Sequence, residues 1–268
     1  MRATANHALH PAAVAVTRVA FLKALDQIMA LPANDPRRNI FVTNGGCAAG
    51  KGDLSKIVKQ QNDEKFPFGV VWDAAGEGDA QENAWILEAA KQRGLKVTFG
   101  FVENDPMFTY NAVLNRALGS GRIVDPITFA RSYARGQKNM HDFMQSSDYK
   151  DAVANGQAET IGIYTGKFDT TTKSYPDARK LGDENGRITA DDLQNGPDEA
   201  KVTQAAIEIF EAWLRKQEEE GKPVEHWKQG GIANTLKFAP NAKAAQGDQV
   251  AENEALETQS EDEREQQG

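Results

Sequence analysis

Three short apolar segments, separated by segments with helical periodicity, limit most strongly how this chain can fold. They are Asn39–Thr43, Phe68–Trp72 and Leu95–Val102. Short apolar runs of this kind are typical of buried strands. Helical patterns occupy the two intervals, over Asp53–Gln61 and Gln81–Arg93. Because strands that alternate with helices pair in parallel, the sequence predicts an α/β fold with a parallel sheet flanked by helices.

Further helices are predicted on both sides of this alternation. Apolar residues recur at helical spacing between Pro11 and Pro32, and the segments Pro106–Leu118, Pro126–Gln145 and Asp198–Glu220 follow the third strand. The C-terminal part also contains a predicted strand, Thr160–Thr165, and an Asn185-Gly186 turn before Arg187–Thr189. These elements predict helical additions to the sheet and a small hairpin.

A glycine-rich segment lies between the first predicted strand and the first predicted helix. It reads Gly45, Gly46, Cys47, Ala48, Ala49, Gly50, Lys51 and Gly52, and it matches the pattern G-x-x-x-x-G-K. Glycines let successive backbone N–H groups face phosphate oxygens, and a lysine at this position reaches the outer phosphates. We expect these eight residues to bind a nucleoside triphosphate, ATP or GTP, in a P-loop NTPase-like fold. The alternative is an ordinary turn between a strand and a helix.

The residue after the lysine departs from the usual pattern. A serine or threonine hydroxyl usually helps to hold Mg²⁺ there, but this chain has Gly52, followed by Asp53. Asp53 is therefore a candidate Mg²⁺ ligand, although a helix N-cap would explain it equally well. Asp73 follows the second strand, and ligands gather at the carboxyl ends of parallel strands. Asp73 is therefore the second candidate Mg²⁺ ligand.

Charge and composition exclude several classes of protein. The net charge is −8, and the segment Asn241–Gly268 holds eight acidic residues against Lys243 and Arg264, so it carries −6 of that charge. The remaining chain has no basic surface pattern, which argues against nucleic-acid binding. One cysteine rules out an intrachain disulfide framework. Charges interrupt the apolar run Ala12–Ala30, so we predict no membrane partner and a cytoplasmic location.

The order of four segments resembles the zeta-toxin family of P-loop kinases. After the glycine loop come Val70-Val-Trp-Asp73-Ala-Ala-Gly76, Gly94–Val102, and then Arg116 with Gly121-Arg122-Ile-Val124. The resemblance covers about Ile40–Gln145. It implies a kinase that phosphorylates a small acceptor with ATP or GTP and Mg²⁺, and it implies a protein partner such as an antitoxin.

The resemblance also implies roles for individual residues. Lys51 would be the phosphate lysine, and Asp73 would stand where the family has an acidic residue after its second strand. Arg116, with Arg122 or Arg131, would neutralise the transferred phosphate, which phosphoryl transfer requires. A surface ion pair is the structural alternative for each arginine.

One departure from the family leaves a second function open. Family members carry a segment with an aspartate base between the loop helix and the next strand, and only Asp53–Pro67 fills that interval here. Asp73, Glu77 or Asp79 could substitute for that base. The alternative is a non-catalytic nucleotide-binding module that acts through a protein partner.

These observations divide the chain into four parts. They are an N-terminal helical segment (1–38), a P-loop kinase-like core (39–165), a hairpin and helix extension (166–240) and a disordered acidic tail (241–268).

Deletion of Asn241–Gly268 should leave the melting temperature nearly unchanged. A segment with few apolar residues and many charges buries too little surface to offset the entropy of ordering it. A thermal melt of the shortened chain beside the full chain tests this. A loss of several degrees would mean that the tail docks on the folded body.

Overall fold

The computed structural model describes most of the chain up to residue 228. The described residues are 2–46, 49–51, 54, 68–73, 80–120, 123–167, 169, 171–172, 175–194, 196–222, 224 and 227–228. The predicted acidic tail lies outside them, and so does the predicted helix Asp53–Gln61 except for Leu54, which is helical.

A five-stranded sheet forms the centre of the molecule. Its strands are β1 (Asn39–Gly45), β2 (Val70–Asp73), β3 (Lys96–Glu103), β4 (Ala158–Tyr164) and β5 (Arg179–Lys180). They lie in the order β2-β1-β3-β4-β5, and only β5 is antiparallel to its neighbour. The predicted α/β fold with a parallel sheet is therefore confirmed, with one short antiparallel strand added at the edge.

Six α-helices flank the sheet in the described part of the chain. They are α1 (Arg2–Met29), α2 (Ala80–Lys91), α3 (Pro106–Ser120), α4 (Pro126–Gln145), α5 (Ser147–Ala154) and α6 (Glu199–Glu219). The start of α4 has the predicted position because Asp125 accepts hydrogen bonds from the backbone N–H groups of Ile127 and Thr128, at 3.1 and 2.9 Å.

The sequence patterns did not predict α5. Ser146 separates it from α4, since its backbone N–H donates to Phe143 O and its hydroxyl accepts from the N–H of Tyr149. Ser146 therefore ends α4 and caps the N-terminus of α5.

The first helix begins earlier than the position of Pro11 indicated. It starts at Arg2 and passes through Pro11, although a proline costs one intrahelical hydrogen bond. Phe21, Leu25 and Ile28 are buried, whereas Val16 is 70% exposed and Val19 54% exposed. The expected apolar face is therefore buried from Phe21 onward. None of the helices in the described ranges has an apolar stretch long enough to cross a bilayer.

Both faces of the central strands are covered by apolar side chains. On one face Phe99 packs against Phe143 and Tyr149, with ring centroids 4.8 and 6.2 Å away. On the other face Phe41, Val102 and Ile161 pack with Leu54 of the helical turn after the glycine loop. The helical residue Leu54, just after the glycine loop, is therefore packed on this face of the sheet.

The predicted turn at Asn185-Gly186 is present, but it does not continue as a strand. Gly186 has a φ of +79°, and its N–H donates to Asp183 O at 2.8 Å. Arg187 makes a single antiparallel bridge to Ile161. The hairpin expected over Arg187–Thr189 is thus reduced to one bridge.

Gly100→Ala should destabilise the fold by about 1–3 kcal/mol, the usual cost of overpacking a core. A Cβ atom at Gly100 would lie 2.6 Å from Leu54 Cδ2 and 2.6 Å from Phe41 Cζ. Urea denaturation of the variant and the parent measures the loss.

Gly119→Ala is the matched control for this substitution. Gly119 lies in α3 with open space around the added Cβ atom, so the substitution should stabilise the protein by about 0.5–1 kcal/mol. Equal effects at the two positions would contradict the packing described beneath the glycine loop.

Candidate functional site

The glycine loop follows β1 at a point where no side chain fits. Gly45 has a φ of +139°, and a Cβ atom there would lie 2.6 Å from the carbonyl oxygen of Val102. A Cβ atom at Gly46 would lie 2.7 Å from Cδ2 of Tyr133. The loop backbone is therefore packed directly against β3 and α4, which two glycines in succession permit.

Lys51 folds back over the start of this loop. Its ammonium group donates hydrogen bonds to the carbonyl oxygens of Gly45, at 2.9 Å, and Gly46, at 2.8 Å. Lys51 and Leu54 are both helical, so the loop leads into a helical turn whose N-terminus carries partial positive charge. This arrangement places a cation and a helix N-terminus beside the loop.

Residues after β4 hold the loop from the other side. The hydroxyl of Thr165 donates to Ala49 O at 3.1 Å, and Thr165 is fully buried. The backbone N–H of Thr165 donates to Glu103 O at 3.0 Å. Tyr175 lies beside Gly50, with its hydroxyl 3.2 Å from the position of an added Cβ atom. The loop is therefore tied to β3 and β4 as well as to β1.

Asp73 is the last residue of β2 and lies at the carboxyl edge of the sheet. It pairs in register with Thr43 of β1, and the Thr43 hydroxyl donates to Asp73 Oδ1 at 2.6 Å. Thr43 is buried whereas Asp73 is exposed. The hydrogen bond fixes one carboxylate oxygen of Asp73. Its partner Thr43 lies two residues before Gly45 on β1, so the exposed carboxylate is near the start of the glycine loop.

A second polar group lies at the end of β3. Glu103 follows Val102, which pairs with Gly45, and Tyr133 donates from its hydroxyl to Asn104 O. Burial raises the pKa of Glu103 above its usual value, although the positive charge of Arg179 lowers it. Burial also raises the pKa of Tyr133. Both groups therefore favour their neutral forms more than exposed groups would.

The predicted arginines are distributed differently. Arg131 of α4 lies 3.8 Å from Glu199 of α6 (Nε to Oε1), which is the surface ion pair considered as its alternative. Arg116 is exposed on α3, about 15 Å along the helix from its first residue at 1.5 Å per residue.

Several predicted site residues lie outside the described residues. They are Cys47, Ala48, Gly52, Asp53 and Arg122. In the described ranges, no group of three or more histidine, cysteine, aspartate or glutamate residues could hold a metal ion. A Mg²⁺ ion bound with a nucleotide needs only one or two carboxylates because phosphates and water supply its other ligands, and Asp73 fits that requirement.

Sequence reasoning missed Thr43, Glu103, Tyr133 and Thr165. Thr43 and Glu103 follow from a rule already applied to Asp73, because each lies near the carboxyl end of a strand that borders the loop. Tyr133 and Thr165 are distant in sequence from the loop, and only the tertiary fold places them there.

A cavity of about 940 Å³ lies at the opposite edge of the sheet. It is bordered by the first residues of three strands, Asn39, Lys96 and Ala158. Ligands of parallel sheets gather at the carboxyl edge, so we assign the candidate site to the glycine loop rather than to this cavity.

Comparison with known proteins finds likeness only at the level of solved structures. No protein-family model matches the chain, and no curated protein matches it. A solved structure from a study of the PezAT chromosomal toxin-antitoxin system of Streptococcus pneumoniae matches at a TM-score of 0.37 and 11% sequence identity. The match covers 78% of this chain and 96% of that one.

Proposed function

We propose that this protein binds ATP or GTP with Mg²⁺ at the glycine loop and transfers the γ-phosphate to a small acceptor. The observation that carries the proposal is the contact of Lys51 with the carbonyl oxygens of Gly45 and Gly46. Through this contact the Lys51 ammonium group lies beside the two glycines at the end of β1, a parallel strand, as phosphate binding at such a motif requires.

The loop and Lys51 would bind the phosphates. The Lys51 ammonium group donates hydrogen bonds to two loop carbonyls. Phosphate oxygens carry more negative charge than carbonyl oxygens, so they would compete successfully for the same ammonium group. The glycines let the loop backbone pack closely against Val102 and Tyr133, and backbone N–H groups of such loops can bind phosphate oxygens.

Asp73 would hold Mg²⁺, and the ion would neutralise charge on the phosphates. Carboxylate oxygens suit this small, hard cation. Because Thr43 donates to Oδ1, Oδ2 is the oxygen left to face the ion directly or through water. Asp53 would add a second carboxylate, and Arg116, Arg122 and Arg131 would neutralise the transferred phosphate.

A second candidate function is a nucleotide-binding module that acts through a protein partner, such as an antitoxin. The exposed Val16 and Val19 of α1 favour it, because these apolar side chains lie on the described surface next to the buried part of the helix. Measured phosphoryl transfer distinguishes the two functions, since the module would bind nucleotide without turning it over.

Lys51→Ala should weaken ATP and GTP binding by about tenfold or more. The loss of charge-assisted hydrogen bonds to phosphate accounts for this magnitude. Titration with fluorescent nucleotide analogues measures the dissociation constants. Lys96→Ala is the control because Lys96 lies at the amino edge of the sheet. Parent-like affinity in a folded Lys51→Ala variant would mean that the loop is only a turn.

Asp73→Asn should weaken nucleotide binding when Mg²⁺ is in excess and leave it unchanged in chelator. The amide keeps the shape of the side chain but loses the charge that attracts the metal ion. Each protein is titrated with ATP under both conditions. Asp151→Asn, at an exposed carboxylate of α5, is the matched control. An equal loss under both conditions, or no loss, would assign Asp73 a structural role only.

A further inference from the structure

Glu103 is a partly buried carboxylate at the carboxyl end of β3, beside the glycine loop. Among the residues that the structure describes, its side chain accepts no hydrogen bond and lies within 4 Å of no cationic group. Partly buried carboxylates usually have such partners, since an unpaired charge loses hydration without compensation. An unpaired carboxylate in this position is therefore retained at some cost to stability.

The backbone of Glu103 is tied closely to the loop. Val102, the preceding residue, pairs with Gly45, and its carbonyl oxygen lies against Gly45. The carbonyl oxygen of Glu103 accepts from Thr165, whose hydroxyl donates to Ala49 of the loop. Glu103 is thus one residue beyond a strand pair that contains the first loop glycine, and its position is fixed by two strands.

Charged and titratable groups from three elements lie near the carboxylate. Tyr164 of β4 pairs with Glu103, and Arg179 of β5 pairs with Tyr164. The Arg179 guanidinium lies 4.0 Å from the centre of the Tyr164 ring, which keeps its charge near the carboxylate without closing an ion pair. Tyr133 of α4 is the other neighbour, and it interacts electrostatically with Glu103.

Two other acidic groups among the described residues near the loop are already engaged. Asp73 accepts from Thr43, and Asp105 accepts from the N–H of Met107 at 2.7 Å at the start of α3. The Tyr133 hydroxyl donates to Asn104 O. Glu103 is the carboxylate of this group that has no such bond, so it is free to take up a proton.

We propose that Glu103 accepts the proton of the attacking hydroxyl group in phosphoryl transfer, an inference that rests on the proposed function. The acceptor oxygen forms a bond to the γ-phosphorus while the bond from that phosphorus to the β–γ bridging oxygen breaks. The nucleoside diphosphate leaves with the electron pair of that bond. The hydroxyl proton passes to the Glu103 carboxylate and then to solvent.

The raised pKa of Glu103 gives a stability test that does not depend on activity. Its folded-state pKa lies above the ordinary value of 4.5, so ionisation opposes folding. This penalty is absent well below pH 4.5, grows as the pH rises through the folded-state pKa, and then stays constant. Glu103→Gln should therefore melt at a higher temperature than the parent at about pH 7, and the difference should shrink towards pH 4.5.

The decisive experiment uses water as the acceptor, because the natural acceptor is unidentified. Release of inorganic phosphate from ATP and from GTP is measured with Mg²⁺ across pH for the parent, Glu103→Gln and Glu159→Gln. Glu159 is a control at the amino edge, where it accepts from Thr98 Oγ1 and Arg187 Nε at 3.2 Å each. Nucleotide dissociation constants are measured in parallel.

Glu103→Gln should lower the hydrolysis rate by about 10²–10⁴-fold, the usual contribution of a general base. Its nucleotide affinity should stay within about twofold of the parent because the phosphate-binding loop is intact. The parent rate should rise with pH as the Glu103 carboxyl ionises. This rise should disappear in Glu103→Gln and remain in Glu159→Gln.

Other outcomes separate this inference from the proposed function. If the parent binds and hydrolyses nucleotide and Glu103→Gln hydrolyses it equally fast, the role of Glu103 is wrong and the kinase stands. If the parent binds nucleotide without hydrolysing it, the role is also wrong and the non-catalytic module is favoured. If the parent binds no nucleotide, the proposed function fails and the role of Glu103 fails with it.

Discussion

The close contact of the Gly45 and Gly46 backbone with β3 and α4 is the constraint on which the candidate site depends. The carbonyl oxygen of Val102 and the ring of Tyr133 occupy the space that side chains at Gly45 and Gly46 would need. Because β1 lies between β2 and β3 in parallel register, the same edge of the sheet carries Asp73 on one side of the loop and Glu103 on the other. A shift of the loop relative to the sheet would separate it from both carboxylates.

Much of the fold could be predicted because its signals are local. The short apolar runs become β1, β2 and β3 within two residues of their expected bounds, and Asp125 with Pro126 marks the start of α4. Elements without a local signal were missed or misplaced. The short helix α5 begins directly after the predicted end of α4 and is marked only by the cap at Ser146. Strand β5 has only two residues.

The candidate site divides in the same way. Lys51 and the loop glycines follow from a motif, and Asp73 follows from its place after a strand. Tyr133 and Thr165 reach the loop from α4 and from the end of β4, over 80 and more than 110 residues of sequence. Contacts of that kind depend on the strand order and on helix packing, which no periodicity in the chain specifies.

A structure determined with a non-hydrolysable ATP or GTP analogue and Mg²⁺ tests the central claim most directly. The account predicts the triphosphate along the loop from Gly45 to Lys51, with the Lys51 ammonium group moved from the loop carbonyls to the outer phosphates. It also predicts the metal ion on the Asp73 side of the loop. A triphosphate bound elsewhere, such as in the cavity at the amino edge, with Lys51 still bonded to Gly45 and Gly46, would contradict the account.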